Sequence, residues 1–229
     1  MNCYGLIGKS LAHSFSKSYF EKKFKEEKIE AKYENIELTK LSNLKELIEQ
    51  KNILGFNITI PFKESVLAFA DHISEAVSSI KAANCIAIEN GRWYAHNTDY
   101  LAFRESLKSY SELKTAIILG TGGASKAIAY ALNSLKIKFQ QVSRNPAGKY
   151  LSYDDLKDEN ITADLVVNCT PLGTFPNTEE MPELSLEFIA EAKLIYDLTY
   201  NPEETKLLRK AKQLNVDIKN GYEMLVLQA

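Results

Sequence analysis

The sequence has few of the residues that build disulfide scaffolds or metal centres. It contains three cysteines and three histidines in 229 residues, and these share no metal-ligand spacing. Cys3, Cys85 and Cys169 each lie in an apolar, strand-like context, which is typical of buried free thiols in a reducing compartment. We therefore expect a protein without disulfides and without a metal site.

Long apolar runs and an excess of one charge are also missing. No segment is apolar over the length needed to cross a bilayer, and the start of the chain has no signal-peptide core. The formal net charge of −2 gives no bulk electrostatic attraction for nucleic acid or for an anionic membrane. We expect a cytoplasmic protein that acts on a small molecule and has no nucleic-acid or membrane partner.

The composition that remains is ordinary for a globular protein, with 45% hydrophobic and 25% charged residues. The length favours two domains over one. Strand-like and helix-like segments alternate along the chain, and the alternation restarts near Thr115. This pattern predicts two α/β units with parallel strands and helices on both faces of each sheet.

Periodicity and turn signals place the elements of both units. In the first unit we predict strands at Cys3–Ile7, Lys32–Leu38 and Gly55–Ile60, helices at Ser16–Glu27, Leu41–Gln50 and Phe62–Ala70, and a hairpin of Asn84–Glu89 and Arg92–Ala95. In the second we predict strands at Thr115–Leu119, Phe139–Val142, Asp164–Asn168, Leu194–Leu198 and Val216–Ile218, and helices after the glycine-rich turn, near Tyr153–Lys157 and Leu186–Ala192, and at Glu203–Leu214. A helix at Asn97–Tyr110 is predicted to join the units.

The most informative stretch is the glycine-rich turn Gly120-Thr121-Gly122-Gly123-Ala124-Ser125, which follows an apolar strand and precedes a helix. Gly120 permits a tight turn, and Gly122 leaves room for a pyrophosphate to approach the backbone. The free N–H groups and the positive dipole end of the next helix favour that negative charge. Ser125 stands where the dinucleotide fingerprint has glycine or alanine, so the motif alone also fits a plain strand-to-helix turn.

The end of the next predicted strand favours NADP over NAD. A fold that binds NAD usually presents Asp or Glu about 20 residues beyond the glycines, but here the strand ends Val142-Ser143-Arg144-Asn145, without a carboxylate. Ser143, Arg144 and Asn145 can donate to a 2′-phosphate, and Arg144 can also stack on the adenine. The alternative is that Arg144 is an ordinary surface arginine.

Polar residues concentrate at the predicted strand ends of the first unit, where an open α/β sheet binds its ligand. They are Ser14 and Ser16, then Asn57, Thr59 and Lys63 around Pro61, then Asn84, and finally Asn97-Thr98-Asp99. Serine, threonine and asparagine bind hydroxyls, and two serines can donate to a carboxylate. The set indicates a small, hydroxylated, anionic substrate, although each residue alone could be a helix cap, a strand residue or a surface amine.

Several blocks, in order along nearly the whole chain, carry a family resemblance. They are Gly5–Ser16 (GLIGKSLAHSFS), Gly55–Lys63 (GFNITIPFK), Ala82–Ile86 (AANCI), His96–Asp99 (HNTD), Gly120–Ser125 (GTGGAS), Asn168–Gly173 (NCTPLG), Asp197–Leu207 (DLTYNPEETKL) and Asn220–Ala229 (NGYEMLVLQA). Together they resemble the shikimate dehydrogenases. The resemblance implies an oxidoreductase that interconverts 3-dehydroshikimate and shikimate by NADP-dependent hydride transfer, in chorismate and aromatic amino-acid biosynthesis.

The resemblance also implies an architecture and a set of site residues. It implies an N-terminal α/β substrate domain (residues 1–98 plus 219–229) and a Rossmann-type NADP-binding domain (99–218), separated by a cleft. The matching catalytic residues are Lys63 and Asp99, and the matching substrate residues are Ser14, Ser16, Asn57, Thr59, Asn84, Tyr200 and Gln228. The matching cofactor residues are Gly120, Thr121, Gly122, Gly123, Ala124, Ser125, Ser143, Arg144, Asn145, Thr170, Leu198, Gly221 and Met224. Relatives of this kind continue beyond position 229 into a further helix.

The expected chemistry agrees with the assignment of Lys63 and Asp99. Hydride addition to a ketone produces an alkoxide, so a positioned acid must supply a proton as the negative charge develops. Lys63 can supply the proton or stabilise the oxyanion, and the residues alone leave both roles open. Asp99 can orient the lysine ammonium and bind a substrate hydroxyl.

Other functions remain as alternatives. A broader quinate/shikimate dehydrogenase would share the whole pattern, and a non-catalytic NADP sensor would share the fold without needing both Lys63 and Asp99. An amino-acid or folate-type dehydrogenase would not need the paired serines. A short-chain dehydrogenase needs a Tyr-x-x-x-Lys pair after the glycine turn, and the two such spacings here, Tyr19/Lys23 and Tyr110/Lys114, both precede it. A monomer and a homodimer are both compatible with the sequence.

Overall fold

The computed structural model describes residues 1–12, 14–146 and 148–229, and the chain divides into two compact units, Met1–Thr98 and Asp99–Ala229. Residues 219–229, which the sequence assigns to the first domain, are grouped with the second unit. The physical reason is that the helix near the end of the chain, α8 (Tyr222–Leu227), packs against α4 (Asp99–Ser106). His13, one of the histidines considered for metal binding, lies outside the described residues.

In the residues that the structure describes, the first unit is a six-stranded sheet with three α-helices. Its elements are β1 (Asn2–Gly8), α1 (Phe15–Glu26), β2 (Ala31–Glu37), α2 (Leu44–Gln50), β3 (Ile53–Ile58), β4 (His72–Ile73), α3 (Glu75–Ile80), β5 (Cys85–Glu89) and β6 (Arg92–His96). The strand order is β2-β1-β3-β5-β6-β4. Strands β2, β1 and β3 are parallel, but β5 runs antiparallel to both β3 and β6. The sheet is therefore mixed: β2, β1 and β3 form the parallel part that the alternation of elements predicts, and the predicted hairpin adds the antiparallel strand β5.

The hairpin of β5 and β6 is confirmed, and its turn explains why it forms. Asn90 and Gly91 have φ values of 51° and 75°, the left-handed conformations that a two-residue primed turn requires.

The predicted helix at Phe62–Ala70 is wrong, because only a short 3-10 helix forms at Ser65–Phe69. Phe62 and Val66 are the buried residues of this segment. A single 3-10 turn is enough to bury both side chains, and the chain then extends into β4.

The second unit is a five-stranded parallel sheet with helices on both faces. Its elements are α4, β7 (Thr115–Leu119), α5 (Gly123–Ser134), β8 (Lys138–Val142), β9 (Leu165–Asn168), α6 (Leu186–Ala190), β10 (Leu194–Asp197), α7 (Lys206–Gln213), β11 (Asp217–Lys219) and α8. The predicted helix near Tyr153–Lys157 is a 3-10 turn at Asp155–Lys157. The joining helix predicted at Asn97–Tyr110 is shorter, since α4 covers only Asp99–Ser106.

The core of the second unit lies on both sides of its sheet. Ala116 and Ile118 of β7 belong to one buried cluster, and Ile117 and Leu119 of the same strand belong to the other. This is why β7 is an unbroken apolar run and does not alternate with polar residues. The strand order is β11-β10-β9-β7-β8, so the chain moves outward from β7 in both directions, as in a doubly wound fold.

The cysteines form no cross-link, since Cys3, Cys85 and Cys169 are free thiols. Among residues 1–12, 14–146 and 148–229, no helix has both the length and the apolar character needed to span a membrane. The same residues contain no group of three or more His, Cys, Asp or Glu side chains arranged to hold a metal ion.

Candidate active site and cofactor site

The predicted substrate residues of the first unit converge on one edge of its sheet. Asn57 pairs with Leu6 of the parallel strand β1 and with Cys85 of the antiparallel strand β5, and Cys85 pairs in turn with His96 at the end of β6. The carboxyl ends of β1, β3 and β6 therefore meet the amino end of β5. The segments that follow or precede these ends supply the polar side chains.

Asn84 is the most completely bonded member of this edge. It is 2% exposed, its Nδ2 donates to Thr98 Oγ1 at 2.8 Å, and its Oδ1 accepts from the Thr98 backbone N–H at 2.7 Å. Its backbone carbonyl accepts from Ile58 N–H at 2.8 Å. Asn84 thus fixes the end of β3 and the segment after β6 at the same place.

A backbone hydrogen bond fixes Lys63 next to Asn84. The Lys63 carbonyl accepts from Ala83 N–H at 2.8 Å, while the Thr59 N–H donates to the Ile7 carbonyl at 2.9 Å. Pro61 therefore lies in a loop whose two sides are tied to β1 and to the segment before β5. The Lys63 side chain is half-buried, as is Thr59. A half-buried ammonium at a sheet edge can serve as a cation and as a proton donor.

Ser14 and Ser16 lie at the start of α1. Ser14 is the N-cap, because its Oγ accepts from the Ser16 backbone N–H at 3.3 Å, the bonding typical of a capping serine. The first turn of this 12-residue helix contains no acidic residue. The hydroxyl of Ser14 and the positive end of the helix therefore favour an anion at this position.

Tyr33 is a member of this edge that the sequence analysis missed. It lies on β2, is 2% exposed, and its hydroxyl donates to Asn57 Oδ1 at 2.7 Å. Burial raises the pKa of Tyr33, and the nearby Ser16 side chain opposes the increase. The phenol thus lies beside Ser16 and is bonded to Asn57. A single tyrosine in a largely polar strand gives no local signal of this role.

The glycine-rich turn of the second unit has the geometry that a bound pyrophosphate needs. Gly120 has φ of 107°, a conformation that favours glycine, and Gly122 is the N-cap of the 12-residue helix α5. A Cβ built on Gly122 would have no protein atom within 4 Å, so the space beside its backbone is open. Ser125 is fully buried and its hydroxyl donates to the Gly122 carbonyl at 2.7 Å, which shapes the turn from within.

Thr170 lies opposite the turn, at the end of the adjacent strand β9. A Cβ on Gly120 would lie 3.4 Å from Thr170 Cγ2. Between β7 and β9 the strand order reverses, and the crevice at such a reversal is where open α/β sheets bind nucleotides. The backbone N–H and the hydroxyl of Thr170 both donate to Asn168 Oδ1, at 3.0 and 2.7 Å.

Asp197 accepts hydrogen bonds from the residues of this edge, and the sequence analysis did not identify it. It is fully buried at the end of β10 and accepts from Asn168 Nδ2 at 3.1 Å, from Thr199 N–H at 3.0 Å and from the Thr205 hydroxyl at 2.7 Å. Burial raises the pKa of this carboxyl, and these donors oppose the increase. A polar residue that ends an apolar strand, as in Leu194-Ile195-Tyr196-Asp197, is the signal that could have identified it.

The residues expected to select the cofactor follow β8, which borders β7. The Ser143 N–H donates to the Leu151 carbonyl at 2.8 Å, and Ser143 Oγ accepts from Asn145 N–H at 3.2 Å. The side chain of Arg144 is exposed; burial raises the pKa of Tyr153, and the positive charge of Arg144 opposes this increase. Strand β8 therefore ends in a basic, hydrogen-bonding turn on the same sheet edge as the glycines.

The remaining predicted residues lie elsewhere in the second unit. Asp99 is the first residue of α4 and is 5% exposed, and half-buried Leu198 and Tyr200 follow β10. Gly221 approaches the backbone so closely that a Cβ would lie 2.0 Å from the Leu198 oxygen, which brings the start of α8 to the end of β10. The other two residues of this group are Met224, which is buried in the core, and Gln228, which caps the end of α8.

These two edges define a class of protein: a two-unit α/β protein with a polar, lysine-containing edge in one unit and a dinucleotide-type crevice in the other. Residues 6–86 match the family model of the shikimate dehydrogenase substrate binding domain. A shikimate dehydrogenase (NADP(+)) of Caldicellulosiruptor bescii is 37% identical over 250 residues, covering 98% of this chain and 85% of the relative. The chain belongs to the shikimate dehydrogenase family.

Solved structures agree with this assignment. Shikimate dehydrogenase 1 from Peptoclostridium difficile is 35% identical, with a TM-score of 0.90 over 100% of this chain and 88% of the other. The enzyme from Thermus thermophilus, solved in complex with NADP(H) and shikimate, is 28% identical, with a TM-score of 0.87 over 100% of this chain and 90% of the other. The predicted α/β fold with a substrate domain and a Rossmann-type domain is confirmed.

Proposed function

We propose that this protein is an NADP-dependent shikimate dehydrogenase, which reversibly reduces 3-dehydroshikimate to shikimate. The observation that carries this conclusion is the bonded edge of Tyr33, Asn57 and Asn84 beside Lys63, in the part of the chain that matches the family's substrate-binding domain. Hydroxyl and amide groups suit a polyhydroxylated ring, and a lysine suits a carbonyl whose oxygen becomes negative.

The substrate is proposed to bind by its carboxylate and its hydroxyls. Ser14 and Ser16 would hold the carboxylate at the start of α1, where the helix contributes its positive end and no acidic side chain of the first turn opposes it. The remaining polar side chains would bind the hydroxyls and the carbonyl oxygen of the ring. They are Asn57, Thr59, Asn84, Tyr200 and Gln228.

Lys63 and Asp99 are proposed as the catalytic residues. The cofactor, when bound, would supply the hydride as NADPH and accept it as NADP+. Lys63 donates a proton to the carbonyl oxygen as negative charge develops there, and in the reverse direction it receives the proton from the hydroxyl. Asp99, an acceptor when ionised, binds a substrate hydroxyl and so orients the ring for proton transfer.

The residues of the second unit fit a bound NADP. The open space beside Gly122 admits a pyrophosphate to the start of α5, where free backbone N–H groups can donate to it. Arg144, with Ser143 and Asn145, would bind the 2′-phosphate. The residues proposed to contact the rest of the cofactor are Gly120, Thr121, Gly123, Ala124, Thr170, Leu198, Gly221 and Met224, while the fully buried Ser125 supports the turn from within.

Steady-state oxidation of shikimate with NADP+ tests the function directly. We expect NADPH formation by the wild-type protein and a loss of turnover in Asp99→Asn, which keeps the shape of the side chain but removes its charge. Quinate and NAD+ measured in parallel distinguish a strict shikimate enzyme from a broader one. No NADPH formation with either substrate, together with measurable NADP+ binding, would show a cofactor-binding protein without this activity.

We also propose that the protein works in the cytoplasm, as a monomer or a homodimer. The support is chemical: three free thiols are maintained most readily in a reducing compartment. Sedimentation velocity of the purified protein distinguishes a monomer from a homodimer. A larger species at micromolar concentration would contradict both assignments.

A further inference from the structure

Tyr33 connects three elements of the first unit. It lies on β2, its hydroxyl donates to Asn57 two strands away on β3, and its ring packs against α1. The Tyr33 ring stacks on Phe20 of α1, with centroids 4.6 Å apart and planes at 10°. The ring is therefore fixed by packing, and the hydroxyl is fixed at its end.

The direction of each hydrogen bond follows from the number of protons available. Asn57 Nδ2 faces the Asn84 carbonyl at 3.4 Å, which can only accept, so the Asn57 amide oxygen must face Tyr33. Tyr33 has one hydroxyl proton and donates it to that oxygen at 2.7 Å. The Asn57 amide is therefore held in one orientation, with its oxygen towards Tyr33 and its nitrogen towards the Asn84 carbonyl.

We infer that Tyr33 is a positioning residue for substrate binding, which sets the orientation of the Asn57 amide. This inference rests on the proposed function, in which Asn57 touches the substrate. Without the phenol hydroxyl, the Asn57 amide oxygen loses its donor, and the longer bond from Asn57 Nδ2 to the Asn84 carbonyl at 3.4 Å is left to orient the amide. Asn57 then loses part of the orientation that the substrate requires.

The chain offers a matched control in the second unit. Tyr196 on β10 is also buried and also stacks on a phenylalanine, Phe103, with centroids 5.1 Å apart and planes at 27°. Its hydroxyl lies 3.0 Å from Ser106 Oγ. Tyr33→Phe and Tyr196→Phe therefore each remove one hydrogen-bonded hydroxyl and keep the stacked ring, but only the first change affects a proposed substrate residue.

The test compares KM for shikimate, KM for NADP+, kcat and Tm in the two variants. We expect Tyr33→Phe to raise KM for shikimate about tenfold, because the Asn57 amide loses the hydrogen bond that orients it, with KM for NADP+ unchanged. Tyr196→Phe is expected to leave both KM values unchanged, whatever its effect on Tm. An unchanged KM for shikimate in Tyr33→Phe, or an equal increase in Tyr196→Phe, would overturn the inference.

A double variant tests whether Tyr33 acts through Asn57. Asn57→Ala removes the acceptor, so Tyr33→Phe should raise KM for shikimate less in that background than in the wild type. Full additivity of the two changes would contradict the inference. Failure of the proposed function is recognised separately, since the wild-type protein would then not oxidise shikimate with NADP+ at all.

Discussion

The binding edges of the two units consist of different groups: side chains in the first unit and mainly backbone in the second. In the first unit the edge consists of side chains that bond to one another, such as Tyr33 to Asn57 and Asn84 to Thr98. In the second unit it consists mainly of backbone, exposed by Gly120 and Gly122 at the start of α5. A side-chain edge can select among hydroxylated rings, whereas a backbone edge suits the pyrophosphate that all such cofactors share.

The largest effect on kcat is expected at Lys63, because it is the cationic group that we propose to act in the chemical step. Lys63→Met keeps the length of the side chain but removes the proton donor. We expect kcat to fall by about 10²–10⁴-fold, with KM for NADP+ nearly unchanged, as measured by steady-state kinetics.

Lys40→Met is the control for the Lys63 experiment, because Lys40 is an exposed lysine of the same unit. It should leave kcat and both KM values unaltered. If Lys63→Met kept most of its turnover and lost only affinity for shikimate, Lys63 would be a binding residue and its proton-transfer role would be refuted.

The backbone character of the second edge is tested by adding a single methyl group. Gly122→Ala places a Cβ where no protein atom lies within 4 Å, and its φ of −79° is accessible to alanine. We expect Tm to stay unchanged while KM for NADP+ rises at least about tenfold, because the methyl occupies the space that the pyrophosphate needs.

Gly221→Ala, in the same unit, adds a methyl group where the protein has no space for it. Its Cβ would lie 2.0 Å from the Leu198 oxygen, so we expect a lower Tm. Equal stability losses in Gly122→Ala and Gly221→Ala would show that the turn at Gly122 has no room to receive a ligand.

A smaller effect is expected at Arg144, where a side chain in the second unit supplies selectivity. Arg144→Gln should reduce the preference for NADP+ over NAD+ about tenfold, because a hydrogen bond to a charged phosphate contributes about 1.5 kcal/mol. The ratio of kcat/KM values for the two cofactors is the measurement. Arg92→Gln, at an exposed arginine of the hairpin, should not change this ratio, and an unchanged ratio in Arg144→Gln would assign the selectivity to other groups.

The smallest effect concerns stability at the opposite edge of the second sheet. Asp164 accepts from the backbone N–H groups of Lys114 and Thr115 at 2.7 and 3.1 Å and pairs with Lys193 at 2.7 Å. These partners, Lys193 foremost, lower the pKa of its carboxyl to about 2. Since one pKa unit corresponds to about 1.4 kcal/mol, and the carboxyl is partly solvated, Asp164→Asn should lose about 1–2 kcal/mol of unfolding free energy at neutral pH.

The pH dependence of that loss has a definite sign. A lowered pKa stabilises the folded state above the unfolded value of about 3.9, and the contribution disappears as the pH falls towards 2. Urea unfolding of the wild type and of Asp164→Asn should therefore converge over this range. A difference that persisted at pH 2 would show that packing, and not charge, explains the loss.

The contrast between the units also explains what the sequence could predict. The glycine turn and the Asn90-Gly91 hairpin depend on local backbone conformation, which glycine and asparagine signal directly. The contacts of Tyr33 with Asn57 and of Asn168 with Asp197 join residues 24 and 29 positions apart, so no local pattern reveals them. The grouping of residues 219–229 with α4 likewise depends on packing between distant segments.

The first unit's strand order has a consequence for biosynthesis. All six strands of its sheet come from the uninterrupted segment that ends at His96, so the ribosome completes this sheet before it translates the second one. The central strand β7 must instead wait for β9, which begins only at Leu165. The first unit is therefore free to fold while the other is still emerging, and β7, although it pairs with β8 earlier, gains its second neighbouring strand only after Leu165 has been translated.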